Sequence, residues 1–350
     1  MNIDMKYALD LMFEILKINS PGGDTSEAMD RLEKEFESLG ITVSKTNKGA
    51  IYGTIKGQEE GNKRLVSAHI DTLGAIVKEI KSNGRLKLSN IGGFSWNSVE
   101  GENVYIKTRK GKVYTGTILP EKASIHIYSD VVSQVERTEE TIEVRIDEDV
   151  RSVDDVKKLG IAVGDFVSFE PRPIITENGY IKSRHLDDKA CVAVMFAAIK
   201  YLVDNNLTPK RTTHFFISNY EEMGHGLYGI PEGTTEILAL DIGTVGGNHT
   251  SDEKSVTILA KDSRTSYDFG FRNRLVQLAE ENNIKYNVDV HYRYGSDASL
   301  AMLQGVDANF ACIGLGVDAT HHYERTHIDG IENNIKLLIE YLMADENNIK

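Results

Sequence analysis

The residues of this 350-residue chain that could do chemistry are acids and histidines gathered in a few short motifs. His69 and Asp71 stand two apart. Asp187 and Asp188 adjoin, as do Glu221 and Glu222, and Asp241 follows an apolar run. His321, His322 and His327 lie together near the C-terminal end. A site that collected these groups would hold carboxylates that repel one another and are costly to bury unpaired, unless cations neutralise them. Imidazole and carboxylate donors without thiolate suit zinc, cobalt or manganese better than calcium or an iron–sulfur cluster. With this many donors, two divalent ions are expected rather than one. Such a pair, about 3.5–4 Å apart, turns a bridging water into a nucleophile near neutral pH and polarises a carbonyl oxygen.

Each motif alone has an ordinary reading. A histidine two residues from an aspartate at a strand end is commonly a hydrogen-bonded pair. Two glutamates opening a loop are commonly a solvated surface, and Asp187 and Asp188 ahead of a helix are simply acids favoured by its dipole. What tells against these readings is joint placement, because the elements around the motifs put them on one edge. In an open α/β sheet, ligands collect beyond the carboxyl ends of the strands. The strand expected at 64–70 ends at His69 and Asp71, whose side chains share a face in extended chain. The strand expected at 212–218 runs into Glu221 and Glu222, which can reach one site together only beyond the regular strand. The strand expected at 236–240 runs into Asp241.

Apolar spacing predicts an N-terminal helix ending before Ser20, a second over 26–39 closed by Gly40, then short strands at 41–44, 50–55 and 64–70. From 73 to 173 the texture becomes brief alternating runs punctuated by glycine, with almost no helical period, which predicts a separate small β domain. After Tyr180 an α/β rhythm returns: a long helix over 186–203, strands at 212–218 and 236–240, a helix over 271–282, strands near 285–291 and 308–313, and a closing helix over 331–343. The reading is an α/β domain with a mixed sheet and helices on both faces, built from 1–72 and 174–350 and interrupted by an inserted β domain at 73–173.

Lys and Arg number 40 against 53 Asp and Glu, a formal charge of −13. Phosphate backbones and anionic lipid need clustered positive charge, so neither nucleic acid nor membrane is expected as a partner. Cys191 and Cys312 both sit in apolar surroundings, which excludes a disulfide framework. The N-terminus has neither the basic start nor the uninterrupted apolar stretch of a secretion signal, and the apolar run 190–199 is about half the ~20 residues a bilayer requires. A cytoplasmic protein is expected.

With these motifs in order, the chain resembles the co-catalytic dinuclear metalloaminopeptidases that include the glutamyl, deblocking and tetrahedral (TET) aminopeptidases, sometimes labelled endoglucanases. The resemblance covers essentially the whole chain, including the inserted domain and the segment GlySerAspAlaSer at 295–299. It implies two divalent metal ions per subunit, zinc first with cobalt or manganese as alternatives: His69 and Asp241 on one, Glu222 and a late histidine on the other, Asp187 bridging. It implies Glu221 as general base, and Asp71 as acceptor of the His69 ring N–H. The chain departs from the family at the last ligand, where many members carry a HisSerPro-type motif. His321 is in register when the closing helix is aligned, with His322 and His327 as alternatives. Arg325 could bind a substrate carboxylate or pair with Glu324 or Asp329, while His225, His249 and Arg264 could line the pocket. Arg272 and Arg293 are further basic contacts that an acidic substrate side chain could use. The resemblance further implies cleavage of N-terminal residues from short peptides, and a homo-oligomer assembled through the insert, a tetrahedral dodecamer or a dimer. A deacylase on small N-acyl compounds and a non-catalytic metal- or peptide-binding scaffold are the competing readings. A cellulase needs only two carboxylates and would leave the histidines unexplained.

Overall fold

The computed structural model describes residues 1–344 apart from the side chain of Glu60. The chain begins with α1 (Met5–Leu16) and α2 (Ser26–Ser38), followed by β1 (Val43–Lys45), β2 (Ile51–Ile55) and β3 (Glu59–His69). Asp4 caps α1 by accepting from the Tyr7 N–H, and Ala8, Leu11, Met12, Ile15 and Leu16 give the helix one buried face.

The chain then leaves the sheet. β4 (Gly74–Ile80), β5 (Leu86–Ile91), β6 (Asn103–Lys107), β7 (Val113–Pro120), β8 (Ile142–Ile146) and β9 (Phe166–Phe169) close a barrel in the order β4-β5-β8-β7-β6-β9. Its inward residues, among them Val77, Leu88, Ile106, Ile118, Val144 and Phe169, form a core of their own. Three short helices interrupt the barrel: α3 (Ile125–Tyr128), α4 (Val131–Gln134) and α5 (Val153–Leu159). The alternating texture of 73–173 did not announce them, because one or two turns are too short to show a period.

Back in the larger body come β10 (Ile174–Ile175), β11 (Tyr180–Ser183), α6 (Leu186–Asp204), β12 (Arg211–Ser218), β13 (Thr234–Val245), β14 (Val256–Lys261), α7 (Phe269–Glu281), β15 (Tyr286–Val290), α8 (Asp297–Leu303), β16 (Asn309–Asp318), β17 (Glu324–His327) and α9 (Ile328–Met343). The mixed sheet runs β1-β2-β12-β3-β13-β16-β17-β11-β10, with β14 and β15 joined to the other side of β16. Its centre, β12-β3-β13-β16, is parallel. α6 is buried almost all round and shares the main core with α1, α2, α7 and α9, while α8 packs with a smaller core on the opposite face. Cys191 and Cys312 are buried free thiols. Among the described residues, no helix is long and apolar enough to cross a membrane.

The elements β10, β11, β14, α8 and β17 were not anticipated, and β13 is longer than its expected 236–240. It continues to Val245 because β16 pairs with it in unbroken register from Glu236↔Asn309 to Val245↔Asp318. Asp241 therefore lies within a strand rather than at its end. It still reaches the carboxyl edge, because pairing with the other neighbour, β3, stops at Ala239↔Ser67.

Candidate active site

β3 delivers His69 at its last position. β12 ends at Ser218 and leads into a tight 3-10 turn, Glu221–Met223, that turns two adjacent glutamates toward one place. Asp187 and Asp188 open α6 in non-helical conformations. His321 is in the loop between β16 and β17, at a left-handed φ of 62°. Such backbone in a non-glycine residue persists only where the surroundings fix it, and functional sites are where it clusters.

Two three-donor groups result, His69 with Asp187 and Asp241, and Asp187 with Glu222 and His321. Within each, donor atoms lie within 4.8 Å of one another. His69 Nε2 is 3.2 Å from one Asp187 oxygen, and His321 Nε2 is 3.5 Å from the other and 3.7 Å from Glu222 Oε2. The Nδ1 atoms face elsewhere: that of His69 donates to the Asp71 main-chain carbonyl at 3.0 Å, and that of His321 to the carbonyl of Gly93, at the edge of the barrel. Both rings thus spend one N–H on a main-chain acceptor and turn Nε2 toward the acids, the arrangement that fixes tautomer and basicity in metal-ligating histidines. Glu221 belongs to neither group, although its Oε2 is 3.8 Å from His69 Nε2.

Asp71 accepts the His69 ring N–H at its main-chain carbonyl and uses its carboxylate elsewhere. Its carboxylate stands 3.6 Å from His69 Nδ1, and its two oxygens accept from the Glu221 and Glu222 main-chain N–H groups at 3.1 Å each. It therefore shapes the glutamate turn, and its carbonyl rather than its carboxylate holds the His69 ring.

The electrostatics report a shortage of positive charge. Burial opposes the His69 cation, yet Asp187, Asp188, Asp71 and Glu221 outweigh it and hold the pKa well above the ordinary histidine value. His321 is pushed up to about 11 against burial, by Glu222 and Asp187. Burial raises Asp241 and Glu221 well above the usual carboxylate range and Glu222 to about 7, whereas Asp187, hydrogen-bonded between two imidazoles, is held below it. Without added cations these groups take up protons instead. The acids, the imidazole nitrogens and the cleft of about 560 Å³ that they line fit divalent ions.

A family model described as M42 glutamyl aminopeptidase matches residues 49–337. The chain belongs to that family. Among the relatives of this M42 chain is the protein named "Putative aminopeptidase YhfE" of Bacillus subtilis (strain 168), 44% identical over 341 residues that span 97% of this chain and 98% of the relative. Among solved structures, aminopeptidase APDkam598 of the archaeon Desulfurococcus kamchatkensis superposes with a TM-score of 0.87 at 21% identity, covering 97% of this chain and 96% of that one. The TET1 peptidase of Pyrococcus horikoshii, which can assemble into a tetrahedron or a large octahedral shell, gives 0.82 at 21%, covering 97% and 100%. At those identities the likeness is one of fold.

Other expected residues of the M42 chain fall differently. His322 accepts from the Tyr323 N–H through Nδ1, and His327 caps α9 and donates to the Asn178 carbonyl, so neither joins the donor groups. Arg325 lies over the Tyr180 ring, Arg272 over Phe269, and His225 meets Lys48 and stacks on Tyr220. Arg264 and Arg293 line the cleft. Two acids named in the sequence take a part there that was not assigned to them. Glu324 accepts from the main-chain N–H groups of Asp187 and His321, and Asp188 accepts from that of His69. A signal for Glu324 existed in its alternation with Thr326, both inward on β17.

Proposed function

We propose that the protein is a dinuclear metal-dependent aminopeptidase that removes N-terminal residues from short peptides in the cytoplasm. The observation that carries this reading is the pair of donor groups sharing Asp187, with one acid, Glu221, beside them and in neither. His69 and Asp241 would hold one ion, Glu222 and His321 the other, with Asp187 between them. Two divalent ions, zinc first with cobalt or manganese as alternatives, would supply Lewis acidity toward the scissile carbonyl and toward water.

Glu221 is the proton carrier. As the water oxygen attacks the carbonyl carbon, Glu221 takes its proton, then gives that proton to the leaving amine nitrogen as the C–N bond breaks. Burial raises its affinity for the proton, which suits a group that must hold one between two steps. Asp71 holds the turn that presents Glu221, and Glu324 and Asp188 hold the backbone at Asp187, His321 and His69. Arg264 and Arg293 on the cleft wall favour an acidic side chain on the residue released. Assembly into a homo-oligomer through the barrel, a tetrahedral dodecamer or a dimer, is supported by the architecture shared with the TET1 peptidase.

The test is a panel of free-amine and N-acylated peptides with acidic, basic and apolar first residues, assayed on chelated enzyme restored with zinc, cobalt or manganese. Cleavage only at a free N-terminus, lost by about 10²–10⁴-fold in Glu221→Gln with metal content unchanged, is expected. Activity confined to blocked substrates would replace the aminopeptidase reading with a deacylase one.

A further inference from the structure

A second set of donors lies outside the cleft. His249 is in the loop after β13, Asp289 is near the end of β15, and His291 follows it; one donor atom from each comes within 4.8 Å of the others. The Asp289 carboxylate is fixed in place: Oδ2 accepts from the N–H groups of Thr250 and Ser251 and from Ser251 Oγ, while Oδ1 stands 3.3 Å from His249 Nδ1.

His291 is the unexplained member. It is 1% exposed, and neither ring nitrogen has a hydrogen-bond partner. Leaving such groups unpaired in the interior is costly. Its Nε2 is 3.6 Å from Asp289 Oδ2, too long for a hydrogen bond, so the ring lies beside the carboxylate with both nitrogens open to a cation.

We propose that His249, Asp289 and His291 form a separate site for a divalent transition-metal ion, zinc or cobalt, that pins one wall of the cleft. Two imidazoles and one carboxylate select these ions over calcium or magnesium. The wall is reached directly, since the chain runs from His291 to Arg293 and Tyr294, which line the cleft, and the His291 and Tyr294 rings meet edge-on with centroids 5.0 Å apart. The site shares no donor with the active-site groups.

Chelated wild type, Asp187→Ala, and Asp187→Ala combined with His249→Ala or with His291→Gln would be titrated with Co²⁺ and with Zn²⁺. Bound metal is read by equilibrium dialysis with elemental analysis, the Co²⁺ absorption bands report the ligands, and circular dichroism checks the fold. Asp187→Ala should retain an ion with nitrogen and oxygen ligands, and each added histidine substitution should weaken it by at least about tenfold. His249 is part-exposed, so its variant tests the site without opening the core. Asp187→Ala binding no metal, or binding unchanged by both histidine substitutions, overturns the proposal. Either result leaves the two-ion reading of the cleft to the Glu221→Gln assay.

Discussion

Glu324 stands behind the cleft lining, where each of its oxygens accepts a main-chain N–H, from Asp187 at 3.1 Å and from His321 at 2.9 Å. It thus ties together the two residues that hold the second donor group. Burial raises its pKa to about 8, with Asp187 adding to the rise, so it gains from any cation nearby. Glu324→Gln keeps the volume but turns an amide NH₂ toward one of the two N–H donors. We expect zinc affinity to fall about 10–100-fold, read by competition with a chromophoric chelator, while the fold survives. Unchanged affinity would reduce Glu324 to a packing residue. The sequence showed His69, Glu222 and Asp241 because each follows an apolar run that periodicity can place, and Asp187 because it precedes one. Glu324 hid in a four-residue strand and read only as an ion-pair partner for Arg325. The three late histidines could not be told apart by spacing, since what separates them is tertiary: His321 faces the acids, His322 bonds to its neighbour's main chain, and His327 caps a helix.

At the scale of elements, the site depends on how closely β13 and β16 approach. Gly314 pairs with Asp241, and a Cβ at Gly314 would fall 1.4 Å from the Asp241 carbonyl oxygen. A Cβ at Gly243 would likewise fall 2.1 Å from Thr257 Oγ1. Neither glycine has positive φ, so both are required by space rather than by conformation. Gly314→Ala must push β16 from β13 next to a metal donor. The expected cost is the upper end of overpacking penalties, about 3 kcal/mol, with metal affinity falling alongside; denaturant unfolding and zinc titration measure the two. A stable variant with normal affinity would show that the strand pair can give way. Sequence patterning foresaw these strands but ended both early, at 240 and 313. A strand paired along its length on one side continues past the residue where its other neighbour stops, and only the register shows that.

The whole molecule meets at the cleft. The larger body supplies all five donors, two from strands and three from the segments beyond them, and the barrel supplies the Gly93 carbonyl that orients His321. Arg184, buried just ahead of α6, donates to the carbonyls of Ser98 in the insert and His322 in the site loop, and pairs with Glu102. The cleft is therefore completed by both bodies, in a chain whose net charge of −13 offers its acids little relief. Ions that bind the folded state alone stabilise it by mass action, about 2.7 kcal/mol at a hundred times Kd. Chelation should accordingly lower the calorimetric unfolding temperature by a few degrees, and zinc should restore it. Glu221→Gln sharpens the test. Burial favours neutral Glu221 in the metal-free fold, and the folded pKa is raised, so this acid destabilises that fold as pH rises above its ordinary value. Removing its charge should raise the metal-free unfolding temperature at neutral pH while leaving the zinc-induced rise in place. A Glu221→Gln protein that loses the zinc-induced rise would make Glu221 a ligand rather than the base. One whose metal-free stability is unchanged would mean that the repulsion within the cleft is already relieved by protons on His69 and His321.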